Sequence, residues 1–118
     1  MVRKHIHMTA EIPISVDPGL IDRITTDWAA SVMPKLTASV ANLTVSAAEV
    51  WDFAERFVID FSGDCSGMDV AATIDVVRAF GARHAHEEFE LTTVMGEGQV
   101  RKEKVLPEGS LGIFQKSR

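Results

Sequence analysis

The sequence predicts an α+β fold, a four-stranded, mainly antiparallel sheet with helices packed on one face. Three observations predict it. Polar and apolar residues alternate with a period of two over residues 2–16. Apolar residues then recur at helical spacing through the middle of the chain, and the period of two returns after Gly81. Strands segregated from helices in this way indicate α+β. The expected order is one strand, two to three helices and a three-stranded meander, in a single α+β domain over residues 1–118.

In the first strand Ile6, Met8, Ala10, Ile12, Ile14 and Val16 share one parity, while Arg3, His5, His7, Thr9 and Glu11 share the other. This is the pattern of a half-buried strand, and Pro13 suggests a sheet edge or a bulge near its end. Asp17 can cap a following helix, and Pro18 suits its first position. Leu20, Ile21, Ile24, Trp28 and Val32 form its apolar stripe, and Pro34 stops or kinks it. Residues 35–43 are compatible with another short helical piece.

Ser46 and Glu49 have capping-box spacing, with Val45 and Val50 placed to staple across them. A helix is predicted there, with Val50, Trp51, Ala54, Phe57, Val58 and Phe61 inward and Gly63 as its end. Ser66 and Asp69 repeat the pattern. They predict a helix with Ala71, Ile74, Val77 and Phe80 as its apolar face and Gly81 as its stop. Both tryptophans read as core. Beyond Gly81, His84, His86, Glu88 and Glu90 share a strand parity against Ala85, Phe89 and Leu91. Gly96 and Gly98 suit a hairpin turn. Residues 99–106 read as an edge strand guarded by Lys102 and Lys104, and "SLGIFQ" reads as a short final strand.

Composition narrows the function classes. At 46% hydrophobic and 25% charged residues, the chain has ordinary globular values. A formal charge of −5 argues against broad phosphate neutralisation, so no direct nucleic-acid partner is expected. No apolar run has the length of a membrane span, and the alternating start lacks the apolar stretch of a signal peptide. The expected location is therefore cytoplasmic, or within an assembled particle. Cys65 is the only cysteine and has Asp60, Asp64 and Asp69 nearby, which disfavour a thiolate. "DFSGDCSGMD" fails as a calcium loop, because counting from Asp60 places Cys65 and Ala71 where glycine and glutamate are needed. No nucleophile elbow, phosphate loop or dinucleotide fingerprint is present, and no catalytic residue is assigned.

The four histidines form two His-x-His pairs, in "KHIH" and "RHAHEEFEL". On a strand, such a pair aims both imidazoles at one point. Two or three imidazoles with a carboxylate suit a divalent transition metal, giving His84, His86 and Glu90, with His5 and His7, as candidate ligands. The second stretch resembles part of the first metal motif of the cupin family, which implies metal ligation by His84, His86 and Glu90. "LPEGSLGIF" is similar to that family's later P-x-G turn. The resemblance covers about 30 residues; no histidine follows His86, and residues 66–81 read as helix where a cupin has strands.

The leading expectation is a non-enzymatic binding or assembly module without a cofactor. It would self-associate as a homo-oligomer or dock to a protein partner through an exposed sheet face, as in a virion or a multi-subunit complex. His5, His7, Glu11, Glu88, Lys102 and Lys104 are the expected interface residues. The alternative is a metal-binding protein or small metal-dependent enzyme using the His-x-His pairs.

Overall fold

A computed structural model describes residues 3–108. The chain runs β1 (Arg3–Pro13), α1 (Pro18–Asp27), α2 (Met33–Ser39), β2 (Val40–Trp51), β3 (Arg56–Ser66), α3 (Gly67–His84), β4 (Phe89–Met95) and β5 (Gln99–Val105). The strands form one antiparallel sheet in the order β2-β3-β1-β4-β5. β3 lies between β1 and β2, which the α1–α2 segment connects, and β1 lies between β3 and β4, which α3 connects. This is the split-βαβ arrangement of a ferredoxin-like sheet, extended by β5.

The α+β class is as expected, but the four-stranded sheet with its strand–helices–meander order is not. Five strands are present among the described residues, because residues 46–51 and 56–61 lie in strands, joined by a 3-10 turn at Asp52–Ala54, rather than in a helix. The reason lies in β2. Register shifts between Ala41 and Thr44 and between Val45 and Ala47 mark two bulges, and Asn42 takes φ +55° beside the first. Each bulge moves the apolar parity by one. Val40, Leu43, Val45, Ala48 and Val50 thus all reach the core at spacings that imitate a helix. In β3 the run Phe57, Val58, Ile59 is buried on successive residues: Phe57 and Ile59 join the core, while Val58, on the opposite face, lies in register between Glu11 and Glu49. The third strand expected of the meander, at "SLGIFQ", lies outside the described residues.

Other local expectations hold. Asp17 Oδ1 accepts from Leu20 N at 2.9 Å, and Ser66 Oγ accepts from Asp69 N at 3.2 Å while donating to Asp69 Oδ2 at 2.9 Å. Pro34 has no N–H for the helix, and a π-helical turn, Trp28–Val32, precedes it, closed by Met33 N donating to Trp28 O. Gly96 (φ +55°) and Gly98 (φ +108°) make the β4–β5 turn.

Three further expectations are corrected. Pro13 marks neither an edge nor a bulge: β1 is central, and Pro13 is its last residue, where its carbonyl accepts from His86 N. Gly81 does not stop α3, which continues to His84. Gly63 lies within β3, where it makes room for Val40 and Ala41 of β2.

The core is one cluster between the helical layer and the sheet. Ile6, Met8 and Ile12 of β1, with Phe57, Ile59 and Phe61 of β3, meet Ile24, Trp28, Leu36, Ile74, Val77 and Phe80. Trp28 stacks edge-on against Phe80 at 5.2 Å between ring centroids. Among the described residues, the helices cover this face alone and leave the opposite face of the sheet open.

Candidate functional site

Strand alternation builds the open face. His5, His7, Thr9 and Glu11 project there from β1; Arg56, Val58, Asp60, Ser62 and Asp64 from β3. Glu90, Thr92 and Val94 come from β4, opposite Lys104, Lys102 and Val100 of β5. Thr44, Ala47, Glu49 and Trp51 complete it from β2.

The face divides into two halves by charge. At the β1 start, each histidine has a carboxylate across the strand. His7 Nε2 and Asp60 Oδ1 are 2.7 Å apart, and His5 Nδ1 and Asp64 Oδ1 are 3.1 Å apart. Asn42 Nδ2 donates to Asp64 Oδ2 at 3.0 Å. That amide, followed by His5, holds the Asp64 carboxyl below its ordinary value.

At the β1 end lies a concave trough of about 530 Å³, with Val58 in its floor and Trp51 at its lip. Glu11, Asp60, Glu87, Glu88 and Glu90 line it. Among the described residues Arg56 is its one lining cation, and Arg56 Nη1 donates to the carbonyls of Glu55 (3.1 Å) and Ala54 (3.4 Å) rather than to a carboxylate. Among the described residues, Glu11, Glu87, Glu88 and Glu90 take part in no ion pair. Trp51, 40% exposed, stacks with the 91% exposed Phe53 at 6.3 Å and 14° between planes. The core role expected for Trp51 is therefore corrected: it ends a strand on the open face.

The candidate metal ligands are dispersed. His5 and His7 sit at the Val94 end of β4, whereas His86 sits at the Pro13 end of β1. The step from His7 to Pro13 is about 20 Å at strand rise. His84 is not on a strand. It ends α3 on the helical side, with Nε2 2.6 Å from Asp27 Oδ2. Helical geometry turns its side chain away from the position that the His-x-His pattern requires of a strand, and it removes the basis of the cupin resemblance. Among the described residues, no group of three or more His, Cys, Asp or Glu side chains is placed to hold a metal ion. Of the expected interface residues, Lys102 and Lys104 lie on edge strand β5, Glu11 and Glu88 line the trough, and His5 and His7 occupy the paired half.

Sequence reasoning missed Trp51, Arg56 and Asp60 as members of this face, because they fell within the misread helix. The run of consecutive apolar residues at 57–59, bounded by polar ones, is the signal that points to a strand there.

Cys65 is buried in the core, 3.8 Å from Thr73 Oγ1, and burial pushes its thiol up. No helix among the described residues is long and apolar enough to cross a membrane. Comparison with known protein families, curated proteins and solved structures gives no match for the chain.

Proposed function

We propose that the chain is a non-enzymatic docking module that engages a protein through the open face of its sheet. One observation carries this reading: among the described residues, the helices cover one side of a five-stranded sheet and leave on the other a trough lined by four glutamates that form no ion pair, beside a stacked aromatic pair. Exposed aromatic surface next to a polar rim is the composition of recognition surfaces. The edges contribute less to docking. β2 is bulged twice, and β5 carries Arg101, Lys102 and Lys104, so neither offers a straight apolar strand to an incoming one.

The test is face-selective crosslinking in cells. A photoreactive amino acid replaces Thr92 on the open face or, as a control, exposed Ala71 on α3. Protein adducts from position 92 and none from position 71 are the expected result. Adducts from position 71 alone, or from neither, overturn the proposal.

A further inference from the structure

We infer that the occupant of the open face is an extended, lysine- or arginine-bearing segment of a partner protein, with its cationic side chains in the trough and their aliphatic stems against Trp51 and Phe53. This inference rests on the docking role proposed above and names the chemistry of the partner.

Charge complementarity is the first ground. Five carboxylates form ion pairs among the described residues. Asp75 and Glu103 meet Arg78, Asp27 meets Arg83 and His84, and Asp60 and Asp64 meet His7 and His5. Of the carboxylates that line the trough, Asp60 is one of these, whereas Glu11, Glu87, Glu88 and Glu90 form no ion pair among the described residues. These four glutamates line it together with one arginine, whose Nη1 is turned onto main-chain carbonyls, while Lys104 of β5 stands in register with Glu90. Like charges held together repel, and a cation arriving from outside relieves that repulsion.

The aromatic pair is the second, independent ground. The indole of Trp51, which lines the trough, and the ring of Phe53 stacked on it lie nearly parallel and exposed. Nothing in the core requires either ring. An aromatic face beside carboxylates suits a cation on a long apolar stem, because the ring attracts the charge and covers the methylenes. Shape is the third ground. The trough runs across β3, β1 and β4 and is open to solvent, which admits a chain segment rather than enclosing a small molecule.

The experiment uses the full chain, labelled with nitrogen-15, and a short peptide alternating lysine and threonine, with a glutamate–threonine peptide as control. The Trp51 indole N–H and the amides of Glu11, Glu88 and Glu90 are expected to shift on titration. The indole of buried Trp28 serves as the internal reference and stays in place. The double variant Glu88→Gln/Glu90→Gln is expected to weaken binding about tenfold. The double variant Asp22→Asn/Glu97→Gln, which removes the same charge outside the trough, is expected to leave it unchanged.

Equal weakening by both double variants would reduce the effect to net charge and overturn the inference. So would magnesium ions shifting the same resonances as strongly as the peptide does. A dimer seen by light scattering that the peptide does not dissociate would identify the occupant as a second copy, also overturning it. Absence of peptide binding, with crosslinks from position 92 retained, removes the basic partner and leaves the docking role standing; loss of both removes the docking role too.

Discussion

His84 Nε2 stands 2.6 Å from Asp27 Oδ2, and that contact ties the last turn of α3 to the end of α1. Asp27 also accepts from Ser31 Oγ at 2.6 Å and from Arg83 through Nε at 3.1 Å and Nη2 at 3.0 Å. The two helices thus share one saturated carboxylate, with Arg83 and His84 both in the last turn of α3, where the helix dipole favours the Arg83 charge. Replacing Asp27 with alanine leaves these donors without an acceptor. A loss of about 1–3 kcal/mol is expected in urea unfolding.

The same carboxylate makes stability depend on pH. Burial opposes its ionisation, but hydrogen bonds from Ser31, His84 and Arg83 outweigh this and bring the carboxyl from 3.8 to about 2. The folded value lies below the unfolded one. Its contribution is therefore complete above roughly pH 5 and is lost as pH falls through 4 toward 2. Screening at the half-exposed Arg83 limits it to about 1 kcal/mol. Unfolding measured from pH 6 to pH 2 should show this acid-side loss in the native chain, and less of it in Asp27→Asn.

Glycines of equal size have unequal tolerance. A Cβ on Gly81 would stand 2.3 Å from Phe89 Cζ, and one on Gly63 would stand 2.3 Å from Val40 Cγ1 and 2.9 Å from Ala41 O. A Cβ on Gly67, at the start of α3, would meet nothing within 4 Å among the described residues. Gly81→Ala and Gly63→Ala are expected to cost about 1–3 kcal/mol each. Gly67→Ala should be neutral or stabilise by up to about 1 kcal/mol, through reduced freedom of the unfolded chain. Thermal melts of the three variants give the comparison.

Trp51→Ala should leave stability within about 0.5 kcal/mol of the native chain, as expected of a surface substitution. Trp28→Ala should lose about 3–5 kcal/mol, because that ring packs on Phe57 and Phe80 in the core. Denaturant titration distinguishes the two. A large loss for Trp51→Ala would place that ring in the fold rather than on a docking surface.

Cys65 should resist a disulfide reagent in the folded chain, since it is buried and its thiol is held in the protonated form. Labelling is expected to proceed at the rate of opening and to accelerate in urea. Prompt labelling in buffer would contradict the packing of β3 against α3.

Much of the fold was legible where one physical signal dominated. The parity of β1 and the caps at Asp17 and Ser66 needed only local chemistry, and the structure repeats them. β2 and β3 were not legible, because bulges broke the period of two and the Ser46–Glu49 spacing matched a capping box by chance. The half of the trough formed by Glu11, Glu88 and Glu90 could be assigned to an open face from sequence. The half formed by Trp51, Arg56 and Asp60 depended on the register of β3 against β1 and β2, which is long-range information. His84 belonged to the helix because Gly81, read as a stop, instead provides space for the ring of Phe89.

The two bulges of β2 have a consequence for the molecule in crowded solution. Twelve residues of edge strand would otherwise offer a long template for ribbon growth between identical chains. Here the spacing of the outward amides and carbonyls changes twice along that length, so a straight strand aligned at one end falls out of step before the other. Irregularity along this border works against open-ended polymerisation and favours contacts that end with a single encounter.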